Sequence, residues 1–306
     1  MIRAEGLTKF YDSRCVVENV SFEIADQEIV GFLGLNGAGK TTVLRMLSGI
    51  LSPSSGAIEI DGHDLLSDPA NLRWRIGFLP ERPPVYEDMI VQQYLDFAAQ
   101  LRGQSTHRVS EVTELTGLQS VRQQRIGTLS HGYRQRLGIA QAIVHDPALV
   151  VLDEPINGLD PVQIKEMRDL ITRLKQRHTV LVSSHILTEI SQTCDRILVL
   201  QEGKLVFNGS ENELSTKMDV SAQEIVVILS GEASQISTTL DESAIVAHWK
   251  LEKNLEGAIQ VRVGLKDVSS EEFASFAVNA GIGLRSMTPV KTHLESLFIR
   301  LMGTEA

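Results

Sequence analysis

Gly34-Leu35-Asn36-Gly37-Ala38-Gly39-Lys40-Thr41 is the stretch that decides how this chain is read. An apolar run, Ile29-Val30-Gly31-Phe32-Leu33, precedes it and predicts a buried strand. Thr42-Val43-Leu44-Arg45-Met46-Leu47 follows and predicts a helix with one apolar face. Strand, glycine-rich turn and helix together are the context of a phosphate-binding loop. Glycines let the backbone turn tightly and aim successive N–H groups inward, and the helix N-terminus adds the positive end of its dipole. Lys40 is then placed to reach the β- and γ-phosphates, the Thr41 hydroxyl to ligate Mg²⁺, and Thr42 to lie near the α-phosphate. The bland alternative is a glycine-rich turn in an ordinary αβ unit. The loop by itself specifies a nucleoside triphosphate and not its use.

Composition sets the outer bounds. The chain has 306 residues, enough for one large or two moderate domains with real cores. Its formal net charge of −10 argues against broad nucleic-acid binding, which needs a basic face. Two cysteines, Cys15 and Cys194, make no disulfide framework, and a reducing compartment fits them. Met1-Ile2-Arg3-Ala4-Glu5 shows no apolar signal region. No run approaches the roughly 20 apolar residues that span a bilayer. The expectation is a cytoplasmic protein that reaches a membrane only through a partner.

Outward from the loop, residues 1–30 predict antiparallel strands, with Tyr11 at a turn where it could either stack on a purine or pack half-buried. Strand and turn signals continue through Ile76-Gly77-Phe78-Leu79-Pro80, with Glu81 directly after. The texture then changes. Helical spacing over 90–102, a second helix over 108–115 and a third opened by Ser130 as N-cap suggest a helical insertion over about 87–145. Ala148-Leu149-Val150-Val151-Leu152-Asp153-Glu154 reads as a buried parallel strand ending in two acids, at the end where ligands bind in open αβ sheets. There Asp153 can hold a Mg²⁺ shell and Glu154 can polarise water. A helix is expected over 162–176, and a strand ending at Ser183-Ser184-His185, where His185 is either a γ-phosphate contact or a capped core residue. Cys194 is expected as packing within a following helix, and a hairpin is expected around Glu202-Gly203.

The phosphate loop, Leu129-Ser130-His131-Gly132-Tyr133, Val150-Val151-Leu152-Asp153-Glu154, Gly158-Leu159-Asp160 and Ser184-His185 occur in one order over about residues 2–215. This set resembles the ATP-binding subunit of an ABC transporter. Leu-Ser-x-Gly-Tyr-Arg-Gln-Arg with a separate C-terminal extension looks most like the ABC-2 exporter group, which includes drug-efflux, sodium-extrusion and gliding-motility ATPases. The resemblance implies an α/β P-loop ATPase core with an antiparallel β subdomain and a helical insertion. It also implies hydrolysis of ATP with Mg²⁺, a homodimer enclosing two ATP molecules, and export through a separate ABC-2-type permease. By it, Tyr11 stacks on adenine, and Gly34, Leu35, Asn36, Gly37, Ala38, Gly39, Lys40, Thr41 and Thr42 hold the phosphates. Ser130 and Gly132 cap the γ-phosphate held by the other copy. Glu154 orients the attacking water, His185 contacts the γ-phosphate, and Asp160 carries communication across the dimer. Thr41, Asp153 and Glu81 surround the metal.

Three positions depart from the family pattern. Glu81 stands where Gln is usual, adding negative charge beside the phosphates. His131 replaces a glycine that supplies no key donor, and Ile156 stands where Thr is common. A soluble ABC-type ATPase of DNA repair or ribosomes is the competing reading, weakened by the acidic balance and by the lack of a coiled-coil insertion or a second ATPase unit. The permease groove is expected near residues 81–91, with Pro83-Pro84-Val85-Tyr86 either a contact or a simple turn. The ATPase domain is expected over 1–218. An accessory or regulatory domain is expected over 219–306, where the order β-α-β-β-α-β suggests a ferredoxin-like unit and residues 293–302 a final helix.

Overall fold

A computed structural model describes residues 1–65, 67–217, 224–266 and 268–289. The chain divides into two compact units, Met1–Glu211 and Asn212–Ala306, so the division falls a few residues before the expected 218/219 boundary.

In the first unit, β1 (Ile2–Tyr11) and β2 (Arg14–Ile24) form an antiparallel hairpin whose turn residue Asp12 takes a positive φ. Tyr11 is the last residue of β1 and not part of the turn. β3 (Ile29–Leu33) is buried at every position and feeds the loop that opens α1 (Lys40–Leu47). β4 (Ser55–Ile60) pairs with β1, and the short β5 (His63–Asp64) pairs with β4, completing an antiparallel sheet in the order β2-β1-β4-β5. α2 (Pro69–Leu72), opened by Asp68, leads to β6 (Ile76–Leu79).

The helical segment holds α3 (Val91–Leu101), α4 (Thr106–Leu115) and α5 (His131–Ile143), close to the expected positions. Ser130 caps α5, accepting from the Tyr133 N–H. β7 (Leu149–Leu152), α6 (Pro161–Leu174), β8 (Thr179–Ser184), α7 (Leu187–Ser191), β9 (Arg196–Gln201) and β10 (Lys204–Gly209) follow. Six strands make the central sheet in the order β10-β9-β3-β8-β7-β6, parallel except for β10. The β9–β10 turn uses positive φ at Glu202 and Gly203, the two-residue hairpin geometry. Cys194 lies beyond α7 and not in a helix: α7 closes at Ser191 and the Cys194 N–H bonds the Ile190 carbonyl. Leucine, valine and isoleucine from both sheets and from α1 share one hydrophobic cluster, which fixes the loop between two rigid layers.

α8 (Glu211–Lys217) comes next in the chain. In the second unit, β11 (Glu224–Ser230), α9 (Ala233–Asp241), β12 (Val246–Leu255), β13 (Ala258–Leu265), α10 (Ser270–Asn279) and β14 (Gly283–Pro289) run in the expected order. The sheet is antiparallel in the order β12-β13-β11-β14, the ferredoxin-like arrangement. β11 alternates strictly, sending Ile225, Val227 and Leu229 into a cluster with Ile236, Leu240, Phe273 and Ala277 of the two helices. Ser269 and Glu272 close a reciprocal capping box at the start of α10. The helix expected over 293–302 lies outside the described residues.

Candidate functional site

β3 ends at Leu33, and the chain turns through Gly34 to Gly39 into α1. Gly39 is the N-cap of α1 at φ +103°, and a Cβ there would stand 2.8 Å from the Val16 carbonyl oxygen. Only glycine combines that dihedral with that approach. Lys40 is buried, with its Nζ 2.6 Å from the Gly34 carbonyl oxygen and 3.4 Å from Glu154 Oε1. The loop thus curls around its own lysine, and the first N–H groups of α1 face outward as anion donors.

The carboxyl ends of β7 and β8 supply the opposite wall. Asp153 and Glu154 follow β7, and the Asp153 N–H bonds the Leu79 carbonyl of β6. Ser183 Oγ donates to Asp153 Oδ1 at 2.7 Å and accepts from the Glu154 N–H at 2.8 Å. Thr41 also hydrogen-bonds the Asp153 carboxyl. Burial raises the Asp153 carboxyl above the ordinary carboxylate range, the Ser183 and Thr41 hydrogen bonds oppose that shift, and the charges of Glu154 and Glu81 add to it. Glu154 holds a positive φ of 50°, uncommon outside glycine. Its Oε2 sits 2.9 Å from His185 Nδ1.

A cleft of about 350 Å³ opens between these walls. Leu35, Asn36, Gly37, Gly39, Lys40, Thr41 and Thr42 line it from the loop, and Glu81, Glu154 and His185 face them. Val16 and Asn157 complete the lining. Neither was singled out from sequence, nor was Ser183, which acts from behind the acids. Asp153 lies under the floor, with Ala38 and Gly34 in the loop backbone.

Four expected residues lie elsewhere within the chain. Tyr11 is 44% exposed and does not line the cleft, and the Lys9 ammonium sits over its ring at 5.6 Å. Ser130 and Gly132 form the tip of α5 and do not line the cleft of their own chain. Asp160 spends its carboxylate as the N-cap of α6, accepting from Val162 and Gln163 N–H groups. Of the departing positions, His131 donates from Nε2 to the Asn157 carbonyl at 3.0 Å, and Ile156 is buried, which gives an apolar side chain there a packing role.

The donor set suits a magnesium nucleoside triphosphate. An ammonium, a glycine-rich backbone and a helix N-terminus face phosphate, while a hydroxyl and a carboxylate meet at one point beside them. Among the described residues, no group of three or more His, Cys, Asp or Glu side chains forms a cage of its own. Mg²⁺ characteristically binds through one or two protein ligands together with phosphate oxygens and water.

Fold and cleft define a P-loop nucleoside triphosphatase. Residues 17–157 match the ABC transporter family. The bacitracin transport ATP-binding protein BcrA of Bacillus licheniformis is 36% identical over 314 residues, spanning 99% of this chain and 97% of that protein. BcrA of Enterococcus faecalis is 33% identical over 92% of this chain and 97% of its own length. A solved structure described as the ATP binding subunit of an ABC transporter superposes with a TM-score of 0.65 at 28% identity, over 71% of this chain and 92% of that one. The chain belongs to the ABC transporter ATP-binding family. It is an ATPase that uses ATP and Mg²⁺ and serves as the energising subunit beside a membrane subunit.

Proposed function

We propose that this ATPase energises export through an ABC-2-type permease, working as a homodimer on the cytoplasmic face of the membrane. The observation that carries the reading is the convergence of Lys40, Glu154 and His185 on one cleft. In this reading Lys40 and the loop N–H groups hold the β- and γ-phosphates. Thr41, Asp153 and Glu81 surround Mg²⁺, which supplies charge stabilisation at the transferring phosphoryl group. Glu154 orients the attacking water, and His185 steadies that carboxylate and faces the γ-phosphate. Tyr11 stacks on adenine, giving up its contact with Lys9. Ser130 and Gly132 close the partner's cleft, and Asp160 fixes the start of α6 at the dimer face. Glu81 supports the metal only at the cost of extra negative charge.

A second surface supports a membrane partner. Among the described residues no helix is long and apolar enough to cross a bilayer. A groove of about 470 Å³ lies among Ile50, Phe78, Tyr86, Tyr94, Phe97 and Leu101, flanked by Arg73 and Arg102. Ile50, Tyr86 and Leu101 are more than half exposed there, an apolar patch that a partner would cover. The groove includes Pro84 and Tyr86 of the segment expected near residues 81–91. Two relatives that span nearly the whole chain are bacitracin transport proteins, which favours an export task; the cargo itself is chosen by the permease. Residues 219–306 are assigned an accessory or regulatory role.

The test is site-directed photocrosslinking from Tyr86 in the native host. A crosslink to a polytopic membrane protein, lost when the probe is moved to the solvent-facing Lys165 of α6, is expected. A crosslink only to soluble or nuclease-sensitive assemblies would overturn the assignment.

A further inference from the structure

We infer that Ser183 is a positioning residue for hydrolysis: its single hydroxyl sets both the metal-side carboxylate of Asp153 and the backbone of the water-orienting Glu154. The inference rests on the roles given above to Asp153 and Glu154.

The geometry follows from strand pairing. β7 and β8 run parallel, with Leu152 opposite Val182, so the residues that leave β7 meet the last residues of β8. Ser183 is fully buried. A hydroxyl has one proton to give and two lone pairs. Ser183 gives the proton to Asp153 Oδ1 at 2.7 Å and takes the Glu154 N–H at 2.8 Å. No other side chain joins the two acids in this way among the described residues.

Each bond has a separate consequence. The first fixes the Asp153 carboxylate beside Thr41, the point where hydroxyl and carboxylate meet. A hydrogen bond to an ionised acceptor is short and directional, and a group that orients a metal-side ligand controls the metal it serves. The second bond holds Glu154 where its φ is +50°. A non-glycine residue stays there only when its surroundings over-determine it. Ser183 pins the Glu154 N–H, while the Glu154 carbonyl is closed by the Asn157 N–H at 3.2 Å. With its backbone held on both sides, the Glu154 side chain spans the short distance between Lys40 and His185. Without the Ser183 oxygen, a buried carboxylate loses a donor and a buried N–H loses its acceptor.

The experiment compares Ser183→Ala and Ser183→Thr with the unaltered chain. Fluorescent ATP analogue binding is measured in EDTA and across a Mg²⁺ titration, and turnover is measured at saturating Mg²⁺. Melting temperature is recorded for each variant. For Ser183→Ala, metal-free nucleotide binding is expected within about twofold of the unaltered chain, while the Mg²⁺ concentration for half-maximal response rises about tenfold and turnover falls at least tenfold. Ser183→Thr keeps the hydroxyl and is expected to restore both. If Ser183→Ala leaves the Mg²⁺ response and turnover within about twofold, the inference is wrong. If metal-free binding, melting temperature and turnover all fall together, Ser183 is a packing residue and the inference is equally wrong. Absence of nucleotide binding by the unaltered chain would instead refute the site reading on which it stands.

Discussion

Glu154→Gln separates the two tasks of the cleft. The amide keeps the side chain's shape and its capacity to bond His185, but removes one negative charge from a buried site whose carboxylate lies 3.4 Å from the Lys40 ammonium. Two effects follow with opposite signs. A carboxylate that orients and polarises water contributes about 10²- to 10⁴-fold, so the barrier rises by about 3–5 kcal/mol. Against that, Glu154 competes with phosphate for Lys40. At an effective dielectric of ~20, a pair at that separation attracts by about 5 kcal/mol before solvation is counted. After the ammonium's own desolvation, a fraction of that, about 1–2 kcal/mol, returns as tighter nucleotide binding, or roughly five- to thirtyfold. Single-turnover phosphate release, equilibrium ATP binding and size-exclusion chromatography with ATP read the three consequences. Turnover is expected to fall at least about 100-fold, ATP to bind as well or better, and ATP to accumulate a dimer. Turnover within about tenfold of the unaltered protein would remove Glu154 from the water-orienting role. A large loss of affinity would recast Glu154 as a binding group.

Gly39→Ala tests the cradle. At φ +103° and with a Cβ 2.8 Å from the Val16 carbonyl, the substitution strains the backbone by about 1–3 kcal/mol and forces the loop off β2. Thermal stabilisation by ATP is expected to vanish. Gly37→Ala, at φ +86° with open space around it, is expected to keep part of that stabilisation, and equal losses in both would refute the close-approach argument. His145 predicts a pH dependence. Burial pushes its imidazole down to about 4, with the Arg102 and His178 charges adding to the shift and a bond to the Ile76 carbonyl opposing it. An unfolded histidine titrates near about 6.5, so between these values the unfolded chain binds the extra proton. The stability from keeping His145 neutral is therefore complete above about pH 6.5 and lost as pH falls toward 4, with about 2 kcal/mol of it gone by about pH 5. His178, lowered by burial as well, adds in the same direction. Urea midpoints at pH 7.5 and 5 should differ, and His145→Gln should narrow the gap; a flat midpoint down to pH 5 would contradict it.

The loop is legible because strand, glycine-rich turn and helix signals follow one another without a gap from Ile29 to Leu47. The C-terminal unit was readable because the alternation of β11 and the cap at Ser269 leave little choice of element. What stayed hidden is what depends on strands far apart in sequence. Nothing local says that β7 lies beside β8, and without that neighbour relation Ser183 is one serine among many in an apolar strand. Val16 and Asn157 were missed for the same reason, since each enters the cleft through tertiary approach. Cys194 lies outside the helix expected for it, because the chain past Ser191 turns to bring Asp195 onto the Ile29 N–H at 2.8 Å. Tyr11 shows the limit of a motif. Its position in the chain fits adenine stacking, but the side chain sits with Lys9, a contact that no local pattern announces.

α5 explains how the cleft and the apolar groove can act together. Its tip carries Ser130 and Gly132. One turn on, Gln135 Nε2 donates to the Glu81 carbonyl at 3.1 Å, while Arg134 pairs with Glu87 at 3.0 Å. Further along, Gln141 bonds the Tyr94 hydroxyl at 2.6 Å beside the groove. Gly138 permits the contact that stiffens the set, because a Cβ there would fall 2.4 Å from Leu79 and 3.1 Å from Pro83. The segment from Leu79 to Glu87 is therefore fastened to one helix along its length, with Glu81 in the cleft at one end and Tyr86 in the groove at the other. Tyr86 and Glu81 thus stand at two ends of one segment braced by a single helix, whose N-terminal tip carries Ser130 and Gly132. The carboxylate at position 81 makes the link electrostatic as well as mechanical, because the Glu81 charge acts on the buried Asp153 carboxyl.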